Sequence, residues 1–193
     1  TLLEAFALVF LVVFLFLQDF RSTLIPAIAV PVSIIGSFFF LNLFGFSLNL
    51  LTLFALVLAI GIVVDDAIVV VEAVHAKLER GAKNAQAATV EAMSEISGAI
   101  ISITLVMASV FIPVTFLQGP TGVFYQQFGI TLIVAIIISA INALTLSPML
   151  CALFLKGNHE DAEYQQKGLL QKFFYKFDAG FKAVTNRYAL LAS

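Results

Sequence analysis

The sequence predicts an all-α fold, a polytopic membrane helix bundle with five transmembrane helices and a cytoplasmic amphipathic helix. Of its 193 residues, 61% are hydrophobic and 11% are charged, whereas a soluble domain carries about 25% charged residues. Long apolar runs alternate with short polar turns, and runs of this length cross a bilayer as helices at ~1.5 Å rise per residue. We place the bundle at residues 1–156 and a cytoplasmic linker with the amphipathic helix at 157–193.

The first two spans are predicted at about residues 1–18 and 23–43. The first is short for a membrane span and reads as a helix already under way, so we expect the chain to be part of a longer protein. Pro26 suits the first turn of the second helix, where a missing N–H costs nothing. Pro31 lies deeper and should kink the helix, which membrane helices tolerate.

The third span, at about residues 48–75, holds two adjacent carboxylates, Asp65 and Asp66. Both lie near mid-membrane, where one ionisable side chain costs roughly 2.5–3.5 kcal/mol on insertion scales. Two in succession therefore indicate a functional site that faces the interior of a bundle or a water path.

The fourth and fifth spans are predicted at about residues 96–117 and 127–155. A polar, Ala-rich segment precedes the fourth span, and we expect it to form a short loop and a surface helix with a break at Gly81. Residues 118–122 are rich in Gly and Pro and predict a turn between the two spans.

Residues 169–188 have an amphipathic pattern, in which apolar residues recur every three to four positions and basic residues lie mainly on or beside the opposite arc. A basic, Phe-rich pattern is typical of a helix in the membrane interface. The alternative is a linker that leads into another span, and the two could follow one another.

The basic residues predict the orientation of the bundle. All ten lie in three segments: Arg21; Lys77, Arg80 and Lys83; and Lys156, Lys167, Lys172, Lys176, Lys182 and Arg187. The turns at residues 42–49 and 117–127 contain none. Five antiparallel spans place the three basic segments on one side of the membrane, and the positive-inside rule makes that side cytoplasmic.

A helical wheel puts Asp65 and Asp66 on adjacent faces of the third span. Small residues share the face of Asp66: Ala55, Ala59 and Ala73. Asp66 is therefore predicted to point into a close contact with a neighbouring helix. Asp65 is predicted to point into an adjoining groove, with Glu72 two turns below. Two carboxylates so close in a low dielectric should titrate as a coupled unit, which suits a proton carrier.

Three further residues are possible accessories of the Asp pair: Glu72, Glu4 and Asn142. Glu72 lies near the cytoplasmic end of its span and could instead meet headgroups or water. Glu4 is expected near the outer end of its span, where an interfacial position is the alternative. Asn142 more often bonds between helices than binds a ligand. For the Asp pair itself, the alternative is a structural hydrogen-bond site or a permanently bound cation.

We expect no cofactor other than protons as the coupling ion, no metal and no nucleic acid. His75 and His159 are interpreted as isolated loop residues without metal-ligand spacing around them. Cys151 has no His nearby. The sequence holds no phosphate loop and no Ser/His/Asp set.

The stretch LAIGIVVDDAIVVVE at residues 58–72 resembles the fourth transmembrane helix of resistance–nodulation–division (RND) efflux transporters. Similar stretches lie elsewhere: residues 1–36, FGFSLN at 44–49, GPTGVFYQQFGIT at 119–131 and LSPMLCALFLK at 146–156. The resemblance covers about residues 1–156. It makes the five spans the second to sixth transmembrane helices of the N-terminal half, followed by the cytoplasmic amphipathic helix.

The resemblance implies a secondary active transporter rather than an enzyme: a drug/proton antiporter driven by the proton motive force in the bacterial inner membrane, with Asp65 and Asp66 carrying the proton. The paired Asp resembles the hydrophobe/amphiphile branch, which exports drugs, detergents and bile-salt-like compounds. Implied partners are membrane lipids, the remaining half of the transporter, two further subunits of a homotrimer, a periplasmic adaptor protein and an outer-membrane channel. The alternatives are a lipid- or sterol-sensing module, which needs no titratable pair, and a proton-driven protein-export component.

The five spans contain carboxylates but no Lys or Arg. An ionised carboxylate at mid-membrane needs a compensating charge or water. Within the spans only neutral polar residues could help: Ser102, Thr104, Ser139 and Asn142. We therefore expect a Lys from a helix beyond Ser193 to approach the Asp pair, and the pair to face an open groove within this chain.

Overall fold

A computed structural model describes residues 2–155, and these residues form a bundle of antiparallel helices. Its elements are α1 (Leu2–Leu17), α2 (Phe20–Leu43), α3 (Leu50–Glu79), α4 (Ala85–Phe111), a 3₁₀ helix (Ile112–Phe116), α5 (Pro120–Leu144) and α6 (Leu146–Phe154). Four helical segments are long and apolar enough to cross a membrane: Phe20–Leu43, Leu50–Glu79, Ala85–Phe116 and Thr121–Phe154. Leu3–Leu17 is a shorter apolar helix. The predicted all-α membrane helix bundle is confirmed.

Polar side chains fix where three of the helices begin. Asp19 caps α2 by accepting hydrogen bonds from the backbone N–H groups of Arg21 and Ser22. Asn49 and Thr52 form a capping box at α3, and Asn84 caps α4. Each cap satisfies backbone donors that the first turn of a helix cannot use internally. Polar residues in the turns of the sequence therefore also cap the apolar helix that follows each turn.

The two ends of the bundle differ in charge. We call the end with the α1–α2 and α3–α4 connections the basic end, and the end with the α2–α3 and α4–α5 connections the bare end. At the basic end, Ser22 of α2 lies 2.7 Å from His75 of α3. At the bare end, the Asn49 side chain donates a hydrogen bond to Gln127. The basic segments that precede residue 156 thus lie together, as the antiparallel arrangement predicts.

Helix α3 continues four residues beyond the predicted limit of 75. Lys77 and Leu78 are buried there, and the Lys77 ammonium contacts Glu91 at 3.0 Å and Glu95 at 2.5 Å on α4. Packing against α4 extends α3 past the end of its apolar run. The helix ends before Gly81, which has a φ of 93°, a conformation that favours glycine.

The predicted fifth span at 127–155 is two helices, and its start was placed too late. Helix α5 begins at Pro120, where proline at the first helical position costs no hydrogen bond. It ends at Leu144, and α6 begins at Leu146. Pro148 explains the break, because its nitrogen has no hydrogen to donate to the Leu144 carbonyl and its ring crowds that carbonyl.

The core of the bundle is formed around α3, which packs most extensively on α5. Toward the bare end, Ala55 and Ala59 of α3 pack against Leu132 and Ala135 of α5. Small side chains on both helices let their backbones approach closely. Toward the basic end, larger aliphatic side chains of α2 and α3 fill the core: Ile25, Val70, Val71 and Val74.

Residues 156–193 lie outside the described residues. The linker and amphipathic helix assigned to residues 157–193, together with His159, therefore stay predictions.

Candidate functional site

The Asp pair lies at the midpoint of α3. Asp65 is 15 residues after Leu50 and 14 residues before Glu79, the first and last residues of the helix. At ~1.5 Å rise per residue, each end of α3 is roughly 20 Å away. The pair is therefore at the depth in the helix that the sequence predicts.

Asp66 points into the contact between α3 and α5. Its carboxylate accepts a hydrogen bond from the hydroxyl of Ser139, with an Oγ–Oδ2 distance of 2.5 Å. Ser139 is 1% exposed and Asp66 is half-buried. The helical wheel predicted this close contact, and Ser139 is one of four neutral polar residues that the sequence offered as helpers. Of these four residues, Ser139 is the one whose side chain donates a hydrogen bond to Asp66.

Asp65 lies on a different face of α3, and its side chain is exposed. The face continues along the helix through exposed positions at three- to four-residue spacing: Leu58, Gly61, Val69 and Glu72. A methyl group added at Gly61 would have no neighbouring atom within 4 Å. We call these five residues the open face of α3. Of the two carboxylates expected to face an open groove, Asp65 is exposed, whereas Asp66 is half-buried in the contact with α5.

Asn142 joins two helices below the Asp pair. Its side-chain amide donates to the hydroxyl of Ser33 at 2.8 Å, and both residues are buried. Asn142 follows Ser139 by three residues on α5, so it lies about one helical turn toward the basic end. It forms an interhelical hydrogen bond rather than a contact with the pair, in agreement with the alternative that the sequence favoured for it.

The structure does not bring Glu4 or Glu72 into contact with the pair through any hydrogen bond of the described residues. Glu72 is exposed two turns from Asp65 on the open face. Glu4 is exposed in the first turn of α1. Its neighbours Ala5 and Phe6 pack on the cluster that includes Ile60. The expected position of Glu4 near the outer end of its span stays a prediction.

The interpretation of His75 as an isolated loop residue was wrong. His75 is helical, and its Nε2 atom lies 2.7 Å from the hydroxyl oxygen of Ser22. That hydroxyl donates to Asp19 at 2.6 Å. Sequence reasoning missed this set because Ser22 and His75 are 53 residues apart. A polar residue at the end of each predicted helix was the available signal, but it did not identify the pairing.

Metal binding has no support in residues 2–155, where no group of three or more His, Cys, Asp or Glu side chains could hold an ion. Cys151 is buried and not in a disulfide. The site thus consists of two adjacent carboxylates at the middle of α3, of which Asp66 accepts a hydrogen bond from Ser139 across a helix contact and Asp65 is exposed.

Comparison with known proteins identifies the family. Residues 1–193 match the AcrB/AcrD/AcrF family. The chain is 47% identical over 186 residues to the multidrug export protein AcrF of Escherichia coli, which covers 96% of the chain and 18% of AcrF. It is 46% identical over 178 residues to the toluene efflux pump membrane transporter TtgE of Pseudomonas putida, which covers 92% of the chain and 17% of TtgE.

A third relative is the multidrug resistance protein MdtF of Escherichia coli, 45% identical over 188 residues, with 97% of the chain and 18% of MdtF covered. The chain thus spans less than a fifth of the length of these relatives. With the whole of it matched, the chain belongs to the AcrB/AcrD/AcrF family of RND transporters.

Proposed function

We propose that this chain is the proton-coupling part of a drug/proton antiporter driven by the proton motive force, with Asp65 and Asp66 as the proton carriers. The observation that carries the proposal is the pair itself, two adjacent carboxylates at the midpoint of a membrane-length helix. Such a pair is expensive in a bilayer, and carboxylates in membrane helices mark ion and proton pathways.

The two carboxylates have different proposed roles. Asp66 is held by the Ser139 hydroxyl in the α3–α5 contact, so its position is fixed by the bundle. Asp65 opens onto the side of α3 that the described residues leave uncovered. We propose that a cationic side chain from the remaining half of the transporter approaches this side when the pair is ionised. Protonation would remove that attraction, giving the two states that a transport cycle needs.

The relatives support drug efflux over the alternatives. AcrF and MdtF are named for multidrug export and resistance, and TtgE for toluene efflux. We propose hydrophobic and amphiphilic small molecules as substrates of the complete protein. The family match favours this function over a sterol-sensing module or a protein-export component. A homotrimer with a periplasmic adaptor and an outer-membrane channel is the proposed assembly.

We propose that the basic end faces the cytoplasm and that the protein lies in the bacterial inner membrane. Both the bare end and the basic end offer exposed positions for labelling: Ser47 and Thr121 at the first, and Asn84 at the second. Cysteines at Ser47 and Thr121 should react with an impermeant reagent outside the inner membrane, and a cysteine at Asn84 should not. The opposite pattern would reverse the orientation.

The relay is tested by neutralising each carboxylate in the full-length transporter. Asp65→Asn and Asp66→Asn keep the shape of the side chain but cannot carry a proton. Each variant should reach the membrane in normal amount while drug efflux falls to the level of cells without the transporter.

Glu79→Gln is the matched control, because it removes an exposed carboxylate from the end of the same helix. It should leave efflux unchanged. Normal efflux by either Asp variant would remove that residue from the relay.

A further inference from the structure

We propose that Asp19, Ser22 and His75 form a proton-sensitive latch between α2 and α3 at the basic end of the bundle. This set is separate from the Asp pair in the middle of α3. Its contribution to transport rests on the proposed function, whereas its response to pH is a property of the fold. The proposal stands on a continuous row of three side chains that joins two helices.

The centre of the latch is Ser22, which is completely buried. Its hydroxyl oxygen lies 2.6 Å from Oδ2 of Asp19 and 2.7 Å from Nε2 of His75. Both distances are within the range of strong hydrogen bonds. Asp19 and Ser22 belong to the start of α2, and His75 belongs to the last turns of α3. The row is therefore a direct polar link between the two helices.

The geometry assigns the protons. The Asp19 carboxylate acts as an acceptor, because it caps α2 by accepting from the backbone N–H of Ser22 at 2.9 Å and of Arg21 at 3.3 Å. The Ser22 hydroxyl has one hydrogen and donates it to Asp19. Its oxygen must then accept a hydrogen from Nε2 of His75. Nε2 keeps its hydrogen in both charge states, so Nδ1 is the atom that gains or loses a proton.

The charge of the imidazole sets the strength of this link. In the charged state, the imidazolium donates to a hydroxyl that in turn donates to a carboxylate, and such charge-assisted bonds are roughly twice as strong as neutral ones. In the neutral state the same bonds remain without the added charge. The latch is thus tighter with a charged imidazole than with a neutral one.

Among residues 2–155, few other charged groups lie around the latch. On α3, Glu72 and Glu79 lie one turn to either side of His75, and both are exposed. Lys77 lies two residues further, about 200° around the helix, and its ammonium is bound by Glu91 and Glu95 of α4.

The remaining helices packed against α3 add little charge. On α2, Arg21 is exposed beside Asp19. In α1, α5 and α6 the ionisable side chains are Glu4, Tyr125 and Cys151, and Glu4 and Tyr125 lie far from the basic end in their helices. Cys151 is buried without charge. Asp19 is therefore the charged group that the imidazole meets through a direct hydrogen-bonded row.

The latch acts on the helix that carries the Asp pair. His75 follows Asp66 by nine residues, about 13.5 Å along α3. Between them, Val70, Val71 and Val74 are fully buried, in one cluster with Ile25 of α2. Apolar contacts of this kind are indifferent to pH, so the polar row is the pH-dependent part of the α2–α3 contact. Loosening it frees the end of α3 to shift against α2 when protons on that side are scarce.

Hydrogen–deuterium exchange of the full-length protein in nanodiscs tests the latch without substrate or a proton gradient. The readout is the protection of the amides in the first turn of α2, corrected for the intrinsic effect of pH on exchange. Over a series of increasing pH values, protection in the wild type should fall roughly fivefold, as a charge-assisted bond becomes a neutral one. The amides at the start of α4, capped by Asn84, are the internal control and should not change.

The matched variants are His75→Gln and Ser22→Ala. Glutamine donates from a neutral amide, so protection in His75→Gln should be the same at every pH value of the series. Ser22→Ala interrupts the row and should abolish the pH response while His75 is still present. A pH response that persists unchanged in either variant would overturn the proposal. Efflux by the Asp65 and Asp66 variants is scored separately, so a failed latch and a failed relay give different results.

Discussion

Asp66 and Asp65 are neighbours in the sequence, but they lie on sides of α3 with opposite surroundings. On the side of Asp66, small residues of α3 pack on α5, and Ser139 supplies a hydroxyl to the carboxylate. On the side of Asp65, the open face carries exposed residues from Leu58 to Glu72. The described bundle therefore covers Asp66 in part and leaves the face of Asp65 exposed.

Under the proposed function, this difference would give the two carboxylates different roles. Asp66, fixed in a helix contact, would report its charge to the packing of α3 on α5. Asp65, on an uncovered side, would exchange its proton and its ionic partner. Each step along the helix turns by about 100°, so the two carboxylates point in different directions. In this bundle Asp66 points toward α5 and Asp65 lies on the open face.

The largest effect is expected when a small residue is enlarged on each side of α3, because the two sides differ in how closely they are packed. Ala59 is 3% exposed in the contact with α5, so Ala59→Phe should overfill that contact at a cost of about 1–3 kcal/mol or more. The amount of folded transporter in the membrane should fall sharply. Gly61 has open space where a side chain would project, so Gly61→Phe should leave the amount of folded protein near normal.

Efflux separates the two variants further. If the rest of the transporter covers the open face, Gly61→Phe keeps that segment away from Asp65 and efflux should be lost despite normal folding. The two quantities to measure are membrane-inserted protein, by immunoblot, and drug accumulation in cells. Full efflux by Gly61→Phe would mean that lipid covers the open face of α3. It would contradict the proposal that another part of the transporter contacts this face.

A smaller effect is expected when the hydroxyl of Ser139, which bonds to Asp66 from α5, is removed. A hydrogen bond to a charged group contributes about 1.5–3 kcal/mol, and its loss in Ser139→Ala should slow efflux about tenfold. Ser139→Thr keeps a hydroxyl and should retain most of the activity. Equal efflux by the alanine and threonine variants would show that Ser139 contributes only packing contacts and is not part of the site.

The smallest effect is expected one turn lower, at Asn142. Its bond to Ser33 ties α5 to α2, and such interhelical bonds in membranes contribute about 0.6–1.7 kcal/mol. Asn142→Leu should lower the thermal stability of the purified transporter modestly and leave the coupling of protons to drug export intact. Ser33→Ala should lower stability by a similar amount, and the double variant should cost less than the sum of the two. Loss of coupling in Asn142→Leu would move this residue into the relay.

The sequence predicted the surroundings of Asp66, on the α5 side of α3, because that prediction needed only local periodicity. The wheel placed Asp66 with Ala55 and Ala59, and the structure puts those small residues against α5. The apolar runs and the basic segments likewise predicted the antiparallel spans. These are properties of single helices and of the membrane, which act on the chain one segment at a time.

The pairings between distant helices could not be predicted in this way. Ser22 with His75, and Ser33 with Asn142, are 53 and 109 residues apart, and nothing in either local stretch identifies the partner. The break at Thr145 is different, because Pro148 was visible and its clash with the Leu144 carbonyl follows from covalent geometry. There, the continuous apolar pattern was given more weight than the proline.

Proton flux is the most direct measure of whether Asp65 and Asp66 carry the transported proton, as proposed. The full-length transporter would be reconstituted in vesicles that contain a pH-sensitive dye, with a proton gradient imposed and drug added. Wild type and Glu79→Gln should both show drug-dependent proton movement, whereas Asp65→Asn and Asp66→Asn should show none. Drug-dependent proton flux at the wild-type rate in either Asp variant would contradict the account.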